Sequence, residues 1–102
     1  MNSYSITWTS QGLGDLMSCV EFVMQVSYKA AIELREEIDS SVSGLSTFPE
    51  RNPVFKMPKS FPYVLRKMIV KKRYIVLYSV ENDEIVIYRV LDARKKFSYI
   101  IY

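Results

Sequence analysis

Three runs decide the fold: Tyr63-Val64-Leu65-Arg66-Lys67-Met68-Ile69-Val70, Arg73-Tyr74-Ile75-Val76-Leu77-Tyr78-Ser79-Val80 and Ile85-Val86-Ile87-Tyr88-Arg89-Val90-Leu91. Each is rich in β-branched and aromatic residues, which fit a pleated surface. Each also carries apolar residues at both odd and even positions, the pattern of strands covered on both faces. Glu81-Asn82-Asp83-Glu84 between the last two runs reads as a polar hairpin turn. Something must therefore lie on each side of this sheet.

Upstream, Pro49, Pro53, Pro58 and Pro62 punctuate the chain. Proline removes a backbone donor and fixes φ, so it is excluded from helix interiors and central strands. Residues 46–62 read as loop, with a short strand near Val54–Met57. Before them Ala30, Ala31, Leu34, Ile38, Val42 and Leu45 recur at helical spacing, with Ser27 as N-cap and Gly44 as stop. A first helix carries Leu13, Leu16, Met17, Val20, Val23 and Met24 on one stripe, with Ser10 as the expected cap and Gly12 and Gly14 weakening its first turn. Tyr4, Ile6 and Trp8 alternate with Ser5 and Thr7, a strand signature. The reading is α+β: a small antiparallel β-sheet against an N-terminal two-helix hairpin, in the order β-α-α-β-β-β, forming one domain over residues 1–102. The hairpin covers one sheet face; the other is left for a terminal segment, a partner or a target.

Charge is divided along the chain. Residues 1–50 hold two basic and seven acidic side chains, a net of −5; residues 51–102 hold twelve and four, a net of +8. A basic half points to a polyanionic partner or to a solvated surface. Glu33, Glu36, Glu37 and Asp39 lie off the second helix's buried stripe. They read as a solvated face, or as a surface meeting basic groups.

Several chemistries are argued against. Histidine is absent and Cys19 is the only cysteine, which argues against a structural zinc site and leaves no internal disulfide possible. Three glycines in the chain leave no phosphate loop. No metal and no cofactor are expected. Neither a signal peptide nor a membrane span is expected, and the location is read as cytoplasmic. What remains is a set of cations (Arg66, Lys67, Lys71, Lys72, Arg73, Arg89, Arg94, Lys95, Lys96) among Tyr63, Tyr74, Tyr78, Tyr88, Phe97 and Tyr99. Cations neutralise phosphates and exposed rings stack on bases, although a strand tyrosine is more often core.

The order of motifs resembles the RelE/ParE toxin superfamily. The matching pieces are Leu45-Ser46-Thr47-Phe48-Pro49 at the helix end, Arg66-Lys67 with Tyr74 and Tyr78 in the strand pair, and Arg89-Val90-Leu91-Asp92-Ala93-Arg94 at the last strand's end, over about residues 3–97. The resemblance implies a toxin of a type II toxin–antitoxin system, neutralised by a cognate antitoxin. It implies one of two targets: DNA gyrase for ParE-like members, or mRNA in the ribosome for RelE-like endoribonucleases. For a nuclease it implies Arg66 and Lys67 as strand cations, Arg94 as the post-strand arginine, and Tyr99 near the tail tyrosine as catalytic residues. The family's strand arginine is Ile75 here, and an apolar side chain cannot stabilise phosphate charge. That departure tilts the expectation to a ParE-like inhibitor, with Lys71, Lys72, Arg73, Arg89, Arg94, Lys95 and Lys96 binding an acidic target. Lys72 or Arg73 could stand in for the missing arginine from the preceding turn, so RelE-like cleavage stays an alternative, as does a plain binding module. The antitoxin is expected on the sheet face that the helices leave open.

Overall fold

The computed structural model describes residues 4–57 and 61–94. In chain order they form β1 (Ser5–Trp8), α1 (Ser10–Met24), α2 (Tyr28–Gly44), a 3-10 turn (Pro49–Arg51), β2 (Val54–Phe55), β3 (Leu65–Val70), β4 (Tyr74–Glu81) and β5 (Glu84–Asp92). The expected α+β arrangement is present, and the short strand expected near Val54–Met57 is β2. The sheet order is β1-β5-β4-β3-β2. Strands β2 to β5 are antiparallel, while β1 joins β5 in parallel, Ser5 opposite Glu84 and Trp8 opposite Ile87. A parallel pair needs a long crossover, which the helix hairpin and the chain after it supply.

Local chemistry sets the element ends. Thr9, not Ser10, caps α1: its backbone is extended, and its hydroxyl accepts the Gly12 N–H at 3.0 Å. Ser27 caps α2 as expected, accepting from the Ala30 N–H at 3.1 Å. Helix α2 ends at Gly44 without a left-handed glycine, because Leu45 keeps right-handed helical angles as C-cap.

The core lies between the helices and one face of the sheet. Leu16, Leu34, Ile38 and Val42 pack there against Val76, Tyr78, Ile85 and Ile87. The opposite face is not left open. Leu65, Ile75, Leu77 and Leu91 are buried there, with Phe55, Met57, Phe61 and Tyr88 packed against them. Phe61 meets Tyr88 edge-on with centroids 5.6 Å apart, and Tyr63 stacks on Tyr88 at 6.1 Å. The chain's own loop after β2 thus supplies much of the cover that the sequence left unassigned.

Helix α1 buries less than its stripe implies. Of that stripe only Leu16 is fully buried, Val20 and Val23 are partly so, and Leu13, Met17 and Met24 are 42%, 54% and 43% exposed. The helix sits at the seam with β5, where a bulge at Tyr88 shifts the β4–β5 register: Tyr78 faces Ile87, but Leu77 faces Arg89. A Cβ on Gly12 would lie 2.8 Å from the Ile87 carbonyl oxygen. Glycine lets α1 rest on the bulged backbone, and this fixes which of its faces turns inward.

Candidate functional site

The register places the β3–β4 turn and the end of β5 side by side, since Tyr74 is opposite Asp92. Asp92 organises this end. Its Oδ2 accepts from Arg73 Nη2 at 3.3 Å and Arg94 Nη2 at 3.2 Å; its Oδ1 accepts the Arg94 N–H at 3.0 Å and Arg94 Nε at 3.3 Å. The Arg73 carbonyl accepts the Ala93 N–H at 2.7 Å, and its guanidinium lies 4.9 Å above the Tyr74 ring centroid. The Asp92 side chain is 7% exposed, so two guanidiniums compensate one nearly buried carboxylate and leave positive charge in excess.

Lys71 and Lys72 form the turn itself. Both are exposed, and both have left-handed backbones, with φ of 54° and 57°. The Arg73 N–H closes the turn on the Val70 carbonyl at 3.1 Å. This is the twisted two-residue turn that Asn-Gly ordinarily fills. For a residue with a long side chain, left-handed angles cost about 1–2 kcal/mol each. Lys71 lines a groove with Glu33, Glu36, Glu37 and Ser40 of α2.

Of the cations expected to bind a target, the structure brings together Lys71, Lys72, Arg73 and Arg94. Arg89 is engaged elsewhere: its Nε and Nη2 donate to Asp15 at 2.6 and 3.1 Å. Lys95, Lys96 and Tyr99 lie outside the described residues. The nuclease set does not converge among the described residues. Arg66 is at the far end of β3, opposite Tyr78, where its Nη1 donates to the carbonyls of Asn52 at 2.7 Å and Glu50 at 3.2 Å. Lys67 faces Leu77 at the middle of the β3–β4 ladder. Arg94 is at the cationic end.

The strand tyrosines are core or cluster residues rather than open platforms. Tyr74 and Tyr78 are buried; the Tyr78 hydroxyl donates to the Pro49 carbonyl at 2.6 Å and accepts from Asn52 at 3.1 Å. Burial pushes the Tyr74, Tyr78 and Tyr88 phenols above their ordinary range; Arg73 opposes this at Tyr74 and the Asn52 hydrogen bond opposes it at Tyr78. None of the three can serve as a phenolate base at neutral pH. Ile75 is 8% exposed, packed among Leu65, Leu77 and Leu91.

Two residues that organise these contacts escaped sequence reasoning. Asp15 lies on a helix of unremarkable charge, and nothing local foretells a partner 74 positions away. Asp92 had a signal: an aspartate two residues before an arginine can accept that arginine's backbone N–H in an Asx turn.

Comparison with known proteins adds the family. Residues 6–97 match the model described as the ParE toxin of type II toxin–antitoxin system, parDE. Among solved structures, the chain is similar to one titled "Chromosomal ParDE TA system from P. aeruginosa", with a TM-score of 0.69, 20% identity, and coverage of 88% of this chain and 96% of that one. At that identity the likeness carries the fold alone. A search of curated proteins finds no match.

Proposed function

The chain belongs to the ParE toxin family of type II toxin–antitoxin systems, and from that premise we propose that it arrests growth by binding and inhibiting DNA gyrase. A cognate antitoxin would neutralise it in the cytoplasm. The observation that carries this choice is Ile75, buried in an apolar cluster where the RNA-cutting relatives carry the strand arginine. A group that must clamp a developing phosphate charge has no counterpart there.

The cationic end holding Lys71, Lys72, Arg73 and Arg94 is the surface we assign to the target, with Lys95 and Lys96 following in sequence. Cations there speed encounter with an acidic surface and fix its orientation. The antitoxin we assign to the exposed ridge of Leu13, Met17 and Met24 on α1. Long-lived interfaces bury apolar area, and the sheet face first expected to receive the antitoxin is largely taken by the chain's own residues.

Tightly controlled expression tests the proposal. Growth arrest with DNA-damage signalling and intact mRNA is the expected outcome. Codon-phased mRNA cuts that disappear in Arg94→Ala would move the chain to the ribosome-dependent nucleases.

A further inference from the structure

The two tight turns among the described residues, β3–β4 and β4–β5, place different residues in the left-handed region. In the β4–β5 turn the left-handed residue is Asn82, φ 59°, whose short polar side chain tolerates that region. In the β3–β4 turn both left-handed residues are lysines. Neither makes a side-chain hydrogen bond or ion pair among the described residues, so no direct partner holds either side chain in the strained turn. Backbone strain of this kind clusters at functional sites. A second observation lies directly behind the turn: Arg73 Nε is buried and has no hydrogen-bond partner among the described residues.

The surroundings narrow the partner. Glu33, Glu36 and Glu37 share a groove with Lys71. A nucleic-acid duplex carries a negative charge for about every 1.7 Å of its axis, and laid on this turn it would run along those glutamates. A short acidic segment of a folded protein meets the lysines without that repulsion. Base stacking has no platform beside the turn either, because the Tyr74 ring is buried beneath Arg73.

We infer that the Lys71–Lys72 turn is a strained contact tip for a short acidic segment of the toxin's protein target. Lys72 leads, Arg73 and Arg94 stand behind it, and Lys71 is shared with the α2 glutamates. The inference rests on the proposal that the target is a protein, gyrase.

The test uses the full-length parent, K71N/K72G, which relaxes the turn and removes both charges, and K71E/K72E, which reverses them. Each is assayed against purified gyrase and by thermal melting. The expected result is inhibition weakened about tenfold in K71N/K72G and further in K71E/K72E, while the melting temperature of K71N/K72G rises by roughly 5 °C. Weaker binding in a more stable protein excludes misfolding as the cause. Inhibition by K71N/K72G equal to the parent's, or a melting temperature that falls, overturns the tip and leaves the gyrase proposal standing. A parent that leaves gyrase active overturns the proposal itself and the tip with it. So does a parent whose tight binding to duplex DNA alone, at physiological salt, is lost in K71N/K72G, since that would make the partner nucleic acid.

Discussion

Asp15 and Arg89 close the seam between α1 and β5 as a two-pronged ion pair, Nε to Oδ2 at 2.6 Å and Nη2 to Oδ1 at 3.1 Å. The same carboxylate accepts the Val90 N–H at 3.0 Å, and so occupies a donor on the β5 edge beyond the end of β1. Removing one partner of a fully buried pair costs about 3–5 kcal/mol. The Arg89 and Asp15 side chains are 12% and 17% exposed, so we expect Asp15→Ala to cost about 2–3 kcal/mol. Chemical denaturation reads this directly; a loss under about 0.5 kcal/mol would show that the clamp contributes little.

The two glycines of α1 should respond oppositely to alanine. A Cβ at Gly12 meets backbone oxygen at 2.8 Å, whereas nothing lies within 4 Å of one at Gly14. Gly14→Ala should stabilise by about 0.5–1 kcal/mol through lost chain entropy. Gly12→Ala should destabilise, because β5 backbone must shift. Thermal melts of the pair decide it, and equal shifts would contradict the seam geometry.

Arg66 and Tyr78 fasten the same segment, residues 49–52, from two strands. Tyr78→Phe leaves the Pro49 carbonyl without this donor and should cost about 1–3 kcal/mol. A double-mutant cycle with Arg66→Ala should be non-additive by at least about 0.5 kcal/mol. Strict additivity would mean the two act on independent elements.

Buried phenols predict the alkaline limit of stability. Burial raises the Tyr74 and Tyr78 pKa above the ordinary 10.0 in the folded state. The folded protein therefore holds protons that the unfolded chain releases. The stabilisation is intact below about pH 10 and is lost as pH rises through the folded-state values. Phenolate absorbance should show tyrosines that ionise only together with unfolding. Full ionisation of every tyrosine near pH 10, with the fold intact, would contradict the buried placement.

The exposed ridge of α1 should govern neutralisation. Met17→Glu keeps a good helix former on an exposed site and puts charge into the assigned antitoxin surface. Growth arrest should persist while co-expressed antitoxin no longer relieves it. Undiminished relief would move the antitoxin to another face.

The strands, the hairpin and most of the buried stripe of α2 were legible because their periodicities are local. Ser27 as a cap and Asn82 as a turn residue followed from side-chain chemistry alone. Three things were not legible. The bulge at Tyr88 depends on a register between distant strands, and with it goes the reason for Gly12. The cover of the second sheet face comes from β2 and the proline-bounded loop after it, whose Phe55, Met57 and Phe61 show no period. In the cationic site, sequence reading named the charges but not their pairing: Asp15 holds Arg89 apart, and Asp92 draws Arg73 and Arg94 together.

Titration of purified gyrase with the purified chain tests the central claim most directly. Supercoiling should fall with added toxin, recover when the antitoxin is supplied, and weaken as an inhibitory response when salt is raised. Undisturbed supercoiling, with mRNA cut at codon-phased positions in cells expressing the chain, would contradict the assignment.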